Sequence, residues 1–200
     1  MGHPKPESLL PRKLPRQKRA AATVAAILEA AACIIETEGF DGYTTNAVAQ
    51  RAGASIGSLY QYFPNKTALT QALIAREDAR LLVKLSGLLQ CPGGSGLLTE
   101  LIELAAAHQL QRPILARLLD AEETRLPPSE DKQQLHQVLM TIFGRCLGND
   151  LLEREPCIPQ DLFSIIHGMV DAAGQRGEQD SKALARRVER AVFGYLSWYS

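Results

Sequence analysis

The residues with the most chemistry to offer lie together in the stretch GASIGSLYQYF, at positions 53–63. This stretch combines two glycines and two serines with an amide and two phenols. Projected as a helix at about 100° per residue, it places Ile56, Leu59 and Phe63 on one apolar face. Tyr60 lies at the border of that face. The opposite, polar face carries Gln61, flanked by Gly57, Ser58 and Tyr62.

A polar face of this composition suits the major groove of DNA. Gly57 lets the backbone come close, and an amide in the first helical turn can donate to a phosphate. The hydroxyls of Ser55 and Ser58 can bind phosphates or base edges, and the amide of Gln61 can pair with adenine. Three alternatives stay open: Ser55 caps the helix, Tyr60 packs on the core, and Gln61 is simply solvated.

Two short helices joined by a tight turn would hold this face in place. Thr44 and Thr45 can cap a helix over 46–52. A turn at 53–55, which contains a glycine, then leads into a helix over 56–63. The spacing therefore predicts a helix-turn-helix.

The rest of the chain is also predicted to be helical. Apolar residues recur at helical spacing, and no segment alternates with the period of two expected of a strand. Seven further helices are predicted over 23–38, 66–90, 97–110, 113–125, 129–147, 159–173 and 180–199. The fold class is therefore all-α with about nine helices, in which a three-helix N-terminal domain precedes a larger helical domain.

Charge is unevenly distributed, although the 200-residue chain has no net charge. Residues 1–66 carry eight basic and five acidic side chains, a net charge of +3, so the remainder carries −3. Residues 1–20 alone hold four prolines and six basic residues, which predicts a flexible arm. This basic arm either follows DNA phosphates or is a solvated tail.

Enzymatic and membrane functions find little support in the sequence. It contains no nucleophile elbow, phosphate-binding loop, dinucleotide fingerprint or HExxH motif. Its four cysteines and four histidines are scattered without metal-ligand spacing, and the cysteines are expected to be buried thiols. The chain is expected to be a cytoplasmic non-enzyme without cofactor or metal, and the acidic residues Asp120, Glu122, Glu123 and Asp171 are expected to be solvated or ion-paired.

Residues 24–69 resemble the DNA-binding region of the TetR family of bacterial transcriptional regulators. The matching segments are ILEAAACIIETEGFDGYTT and VAQRAGASIGSLYQYFPNKTAL. The chain departs from the family pattern at Ala54, where valine is common, and at Thr67, where an acidic residue is common. The resemblance implies that the DNA contacts are made by Thr45, Ser55, Gly57, Ser58, Tyr60, Gln61, Tyr62 and Lys66.

The resemblance also implies roles for these residues. Thr45 and Lys66 are expected to hold phosphates, and Gln61 and Ser58 to reach bases. Tyr60 and Tyr62 are expected to bind the DNA backbone or pack on a sugar. The three parts of the chain are then a basic arm (1–20), a helix-turn-helix domain (21–66) and a helical ligand-binding and dimerisation domain (67–200).

A repressor that binds its operator as a homodimer, controlled by an unidentified small molecule, is the function that the resemblance implies. The dimer would form through the last two helices, about 159–173 and 180–199, whose apolar faces could alternatively be satisfied within one subunit. An apolar effector pocket could draw on His108, His136, Met140, Phe143 and His167, none of which the sequence singles out. The remaining alternative is a protein-interaction module that keeps a helix-turn-helix without ligand-controlled DNA binding.

Overall fold

The computed structural model describes residues 14–123, 125 and 130–199, and every regular element in these ranges is helical. The predicted all-α class is confirmed. A short 3-10 helix, Ser197–Tyr199, ends the described chain. The ten α-helices that precede it are α1 (Leu14–Gly42), α2 (Thr45–Arg51), α3 (Ile56–Tyr62), α4 (Lys66–Leu88), α5 (Ser95–Gln111), α6 (Pro113–Glu123), α7 (Glu130–Leu147), α8 (Asn149–Arg154), α9 (Ile158–Gln175) and α10 (Ser181–Leu196).

Helix α8 is the element that the sequence prediction missed. The sequence predicts no helix between residues 147 and 159. Only Gly148 interrupts the helical backbone between α7 and the next helix, because its φ of 77° lies in the left-handed region that favours glycine. The next residue already begins α8, so the described part of the chain has ten α-helices rather than nine.

The start of α1 also differs from the prediction of a flexible arm over residues 1–20. Helix α1 begins at Leu14, and the remaining arm, 1–13, lies outside the described residues. Pro15 falls in the first turn of the helix, where its missing N–H costs no hydrogen bond. The residues after it are mostly Arg, Lys, Gln and Ala, which favour helix. At the other end, Gly39 interrupts the helix with φ 66° and ψ −165°, at the predicted stop.

The chain divides into two compact units between Leu69 and Thr70. In the first unit α1 packs on α2, and α2 packs on α3. Burying a single large aliphatic side chain stabilises the fold by about 1.5–3 kcal/mol, so this small core is sufficient to fix α3. The core residues of the unit include Ile27, Ala31, Ile34, Ile35, Tyr43, Val48, Leu59 and Leu69.

One helical segment of the described chain, Arg19–Gly42 in α1, is long and apolar enough to span a membrane. Its length and composition are also those of a core helix, and Ile27, Ala31 and Ile35 have no exposed surface in the first unit. The segment is therefore weak support for a membrane span.

The second unit is built around α5, which packs against α7, α9 and α10. Residues on α5 that are four apart are buried together, namely Leu97 with Leu101 and Leu98 with Ile102. Partner residues from the later helices, such as Leu162, Leu184 and Val188, are completely buried against the same core. This packing orients α5, one face of which carries His108.

Arg145 of α7 holds the turn between α4 and α5. Its guanidinium donates to the carbonyl oxygens of Leu89 and Cys91, each at 2.6 Å. Its own carbonyl oxygen accepts from the amide of Gly94 at 3.0 Å. The last carbonyls of a helix have no partner within it, so these bonds satisfy groups at the end of α4.

All four cysteines are free thiols, and three of them are partly buried. Burial raises the pKa of Cys146 to about 11, so this thiol stays protonated at neutral pH. Cys157 is exposed, and the prediction that it is buried was wrong. The residue lies in the turn just before α9, where no neighbouring helix covers it.

Candidate nucleic-acid interface

Side-chain caps begin the three helices that carry the predicted DNA contacts. The hydroxyl of Thr44 accepts from the amide of Ala47 at 3.1 Å and caps α2. The Oδ1 atom of Asn65 accepts from the amide of Ala68 at 2.8 Å and caps α4. Each such cap stabilises a helix by about 1 kcal/mol. The polar residues around α3 thus fix where each helix starts.

Ser55 caps α3, which is one of the alternatives that the sequence leaves open for this residue. Its hydroxyl oxygen accepts from the amide of Ser58 at 3.0 Å, and the two serine hydroxyls lie 2.8 Å apart. As a cap, Ser55 accepts hydrogen bonds on its oxygen. The hydroxyls of Ser55 and Ser58 carry two protons, and the hydrogen bond between them uses only one. A cap and a contact to an external acceptor are therefore compatible.

The predicted apolar face of α3 is only partly buried. Leu59 has no exposed surface and Phe63 is 7% exposed, as the helical projection required. Ile56, however, is 38% exposed, which corrects the prediction. Ile56 is the first residue of α3 and lies one turn before Leu59. A helical projection shows which residues share a face, but it does not show how far along the helix the neighbouring helices cover that face.

Tyr60 is 48% exposed, and its hydroxyl lies 3.1 Å from the hydroxyl oxygen of Thr45. This bond joins α3 to the first residue of α2. Two hydroxyls carry two protons, and their mutual bond uses one of them. Whichever residue donates, the pair can still donate its second proton outward, for example to a phosphate.

Gly57, Gln61 and Tyr62 are exposed on α3, and Tyr62 keeps 38% of its surface open to solvent. The side chains of Gln61 and Tyr62 form no hydrogen bond within the described residues. A Cβ atom on Gly57 would meet only the hydroxyl oxygen of Ser55, at 3.9 Å, and the glycine has no positive φ. The fold would therefore accept alanine here, so nothing in the fold requires a glycine at this position.

Lys66 begins α4 and is held against the end of α1. Its ammonium group lies 4.9 Å from the centre of the Tyr43 ring and 6.0 Å from that of Phe40. It also donates to the carbonyl oxygen of Phe40 at 3.5 Å. A cation at the N-terminus of a helix opposes the helix dipole, whereas the rings and the carbonyl attract it. The charge is thus fixed in place on an exposed side chain.

Hydrogen bonds connect some of the eight predicted DNA-contact residues to one another, whereas the others are not connected in this way. Thr45 bonds Tyr60, and Ser55 bonds Ser58, whereas Lys66 is positioned by other groups. The link between Thr45 and Tyr60 crosses from one helix to the next, and no local sequence pattern could have revealed it. The sequence also left open which threonine caps α2; it is Thr44.

The apolar faces predicted for dimerisation are largely used within the second unit. On α9, Leu162 and Ala173 have no exposed surface, and Leu184 and Val192 on α10 have none either. Other apolar residues of these helices stay partly exposed, and Trp198 after α10 is 88% exposed. Any surface that pairs two subunits through α9 and α10 must therefore use this second set of residues.

The five residues considered for an effector pocket are dispersed. Phe143 is in the core at 1% exposure, and His136 is exposed. His167 is exposed and stacks on Phe163, with 5.4 Å between ring centres. His108 lines a groove of the second unit, beside Lys84, a residue that the sequence did not single out.

The acidic residues of the second unit mostly form ordinary surface interactions. Glu122 pairs with Arg125 at 2.6 Å, and Glu123 pairs with Lys132 at 2.5 Å. Asp171 accepts from Gln175 at 2.8 Å. Partial burial raises the pKa of Asp120. No group of three or more His, Cys, Asp or Glu in the described ranges could hold a metal ion.

Comparison with known proteins identifies the first unit. The sequence profile of the bacterial regulatory proteins of the tetR family matches residues 27–73. The transcriptional repressor KstR of Rhodococcus jostii is 38% identical over 55 residues, which are 28% of this chain and 26% of that protein. KstR of Mycobacterium tuberculosis is 38% identical over 58 residues, covering 29% and 26%. The chain thus spans about a quarter of the length of the curated relatives it matches.

Solved structures extend the similarity to the whole fold. A TetR-family transcriptional regulator from Streptomyces coelicolor superposes with a TM-score of 0.64 at 25% identity, covering 89% of this chain and 99% of that one. The fatty acid degradation regulator FadR from Bacillus halodurans superposes with a TM-score of 0.62 at 21% identity, covering 85% and 97%. These relatives are regulators rather than enzymes. The match at residues 27–73 shows that this segment is similar to the DNA-binding region of the tetR family of bacterial regulatory proteins, and the chain as a whole has the fold of TetR-family regulators.

Proposed function

We propose that the protein is a repressor that binds a DNA operator as a homodimer and releases it when a small molecule binds the second unit. The observation that carries the proposal is the exposed face of α3, where Gly57 borders open space and the side chains of Gln61 and Tyr62 form no hydrogen bond within the described residues. Exposed polar groups without a partner inside the fold are suited to an external partner. The curated relatives are transcriptional repressors, which supports repression as the outcome.

Each predicted contact residue has a role in this proposal. Gln61 reads a base in the major groove, where its amide pairs with adenine, and Ser58 contacts a neighbouring edge. The hydroxyl pair of Thr45 and Tyr60 donates its second proton to a phosphate, and Tyr62 binds the DNA backbone. Gly57 allows close approach and Ser55 caps α3, while the fixed charge of Lys66 neutralises a phosphate.

Two subunits are needed because one recognition helix reads only one half-site. A two-fold dimer would present its two α3 helices about 34–36 Å apart, one turn of DNA. The proposed contact uses α9 and α10, through residues that the subunit core leaves partly exposed. These residues include Phe163, Ile165, Met169, Phe193, Leu196 and Trp198.

Control by a small molecule is the finer part of the proposal. A ligand weakens operator binding only if it has different affinities for the DNA-binding conformation and for another one. The regulator from Bacillus halodurans is described as a regulator of fatty acid degradation, so a protein of this fold regulates a metabolic process. At 21% identity it shares only the fold with this chain.

The operator is unknown, so the test begins with selection from random duplex DNA. The purified chain is immobilised, bound duplexes are recovered over several rounds, and the enriched sequences are read. The proposal expects a two-fold repeated sequence, with half-sites one helical turn apart. The matched control is the double variant Tyr62→Ala and Lys66→Ala, which should enrich nothing.

Two results would contradict the proposal. One is the absence of enrichment by the wild-type chain at every salt concentration, which would favour a protein-interaction module. The other is enrichment of the same sequence by the double variant, which would place DNA binding elsewhere on the chain. Sedimentation of the complex with the enriched duplex should show two subunits per duplex.

A further inference from the structure

A groove of about 540 Å³ lies beside α5 in the second unit. Ala107, His108 and Gln111 line it from one face of α5, because residues three and four apart share a helix face. Lys84 lines it from α4, and Ser181 lines it at the start of α10. Ligand pockets usually have volumes of about 300–1,000 Å³, so the groove has the size of a small organic molecule.

The groove has an excess of positive charge. Among the described residues, Lys84 is the only lysine or arginine that lines it, and no carboxylate does so. The ammonium of Lys84 donates to the neutral amide oxygen of Gln111 at 3.4 Å and forms no salt bridge within the described residues. Asp180 lies next along the chain, but its carboxylate accepts from the amide of Ala183 at 2.9 Å and caps α10. An anion would therefore find an unpaired cation here.

His108 does not add a second charge. Burial, and then the nearby charge of Lys84, lower the pKa of its imidazole. Glu77 acts in the opposite direction, but its carboxylate is salt-bridged to Arg76 and Arg80 at 2.5 and 3.0 Å. At neutral pH the imidazole is neutral, and its buried Nδ1 has no hydrogen-bond partner in the part of the chain that the structure describes. A groove with one cation and a neutral imidazole suits an anion with a single charge.

The remaining lining provides an apolar surface with polar groups at its edge. Leu104, Ala107 and Leu110 supply aliphatic surface, whereas Gln111, Gln179 and Ser181 can donate hydrogen bonds. We infer that this groove binds an organic monocarboxylate, with the carboxylate at Lys84 and an apolar body along α5. The effect of this ligand on DNA rests on the proposed function, but the binding itself does not.

Octanoate is the ligand to test, because octanol has the same chain without the charge. Calorimetric titration of the full-length chain should show octanoate binding at least about tenfold more tightly than octanol. Lys84→Gln should weaken octanoate binding by about tenfold and leave octanol unchanged. Arg117→Gln is the matched control, because Arg117 is an exposed cation on α6 that does not line the groove.

A second variant tests the location without changing a charge. Ala107→Phe places a ring in the groove and should prevent binding of both octanoate and octanol. Equal affinities for octanoate and octanol would overturn the inference. So would an octanoate affinity that is the same in the wild type, in Lys84→Gln and in Ala107→Phe.

Operator binding in the presence of octanoate separates the two proposals. If octanoate binds through Lys84 and the operator affinity stays unchanged, the site is correct and ligand-controlled release is wrong. If the operator binds but octanoate does not bind, the site is wrong and DNA binding is unaffected. Weaker operator binding in the wild type, absent in Lys84→Gln, would support both.

Discussion

Gly57→Ala should make the protein more stable and its DNA binding weaker. The two effects have opposite signs because they arise in different places. In the free protein, an added Cβ meets only the hydroxyl oxygen of Ser55, at 3.9 Å, and the backbone needs no positive φ. Alanine should then stabilise the helix by about 0.5–1 kcal/mol, since it restricts the unfolded chain more than glycine does.

On DNA, the same methyl group would occupy the space through which the backbone approaches. A hydrogen bond from protein to phosphate requires about 2.7–2.9 Å between heavy atoms, and a methyl group on the side that faces the DNA would keep the backbone from coming this close. Losing one such bond costs about 1.5–3 kcal/mol, or about tenfold or more in affinity for each half-site. A dimer with two half-sites should lose about a hundredfold.

Two measurements on the same preparations test this prediction. Urea unfolding followed by circular dichroism gives the free energy of unfolding, and fluorescence anisotropy of a labelled, selected operator gives the affinity. Gly87→Ala is the matched control, because Gly87 is an exposed glycine of α4 whose added Cβ meets nothing within 4 Å. It should gain stability and keep the wild-type affinity. If Gly57→Ala binds the operator as tightly as the wild type, the glycine is not needed for DNA and the reasoning is refuted.

Three further predictions concern charges that the structure locates. Lys66→Gln should reduce the slope of log affinity against log salt concentration by about 0.9 per half-site, because it removes one phosphate contact. The control Arg117→Gln should leave this slope unchanged. If both variants have the same slope, Lys66 does not contact a phosphate. Arg145→Ala should lower the free energy of unfolding by about 1–3 kcal/mol, because it removes two charged hydrogen bonds from the turn after α4. Urea unfolding measures this free energy. A change of less than about 0.5 kcal/mol would contradict the role of Arg145. Because burial lowers the pKa of His108 below 6.5, the unfolded chain binds a proton that the folded chain does not, so stability should fall as pH drops through about 6.5. His108→Gln should flatten this dependence, measured by urea unfolding at about pH 7.5 and about pH 5.5, and an unchanged dependence would exclude His108 as its source.

Local patterns were sufficient to predict most of the helices and their starts. Asn65 and Ser55 cap the helices that follow them, because short polar side chains satisfy the first amides of a helix wherever they occur. Gly39 ends the regular part of α1 for an equally local reason, its positive φ. The prediction of a flexible arm was wrong at Pro15, because the sequence alone does not distinguish a proline in the first turn of a helix from a proline in a flexible segment.

Features that depend on packing between distant segments could not be predicted. The periodicity of α9 and α10 revealed apolar faces, but it could not tell a face buried in its own unit from one that meets a second subunit. Leu162 and Val192 belong to the first kind. Similarly, Ile56 has the spacing of a core residue and is exposed. The groove at Lys84 unites α4, α5 and the start of α10, which lie far apart in the sequence.

The most direct test of the central claim is the base preference of Gln61→Ala. The operator selection is repeated with this variant and with Gln133→Ala, an exposed glutamine of α7, as the control. If the face of α3 reads DNA, the variant should lose its preference at one base pair in each half-site and keep the others. An operator profile identical to that of the wild type would contradict the claim that Gln61 reads a base.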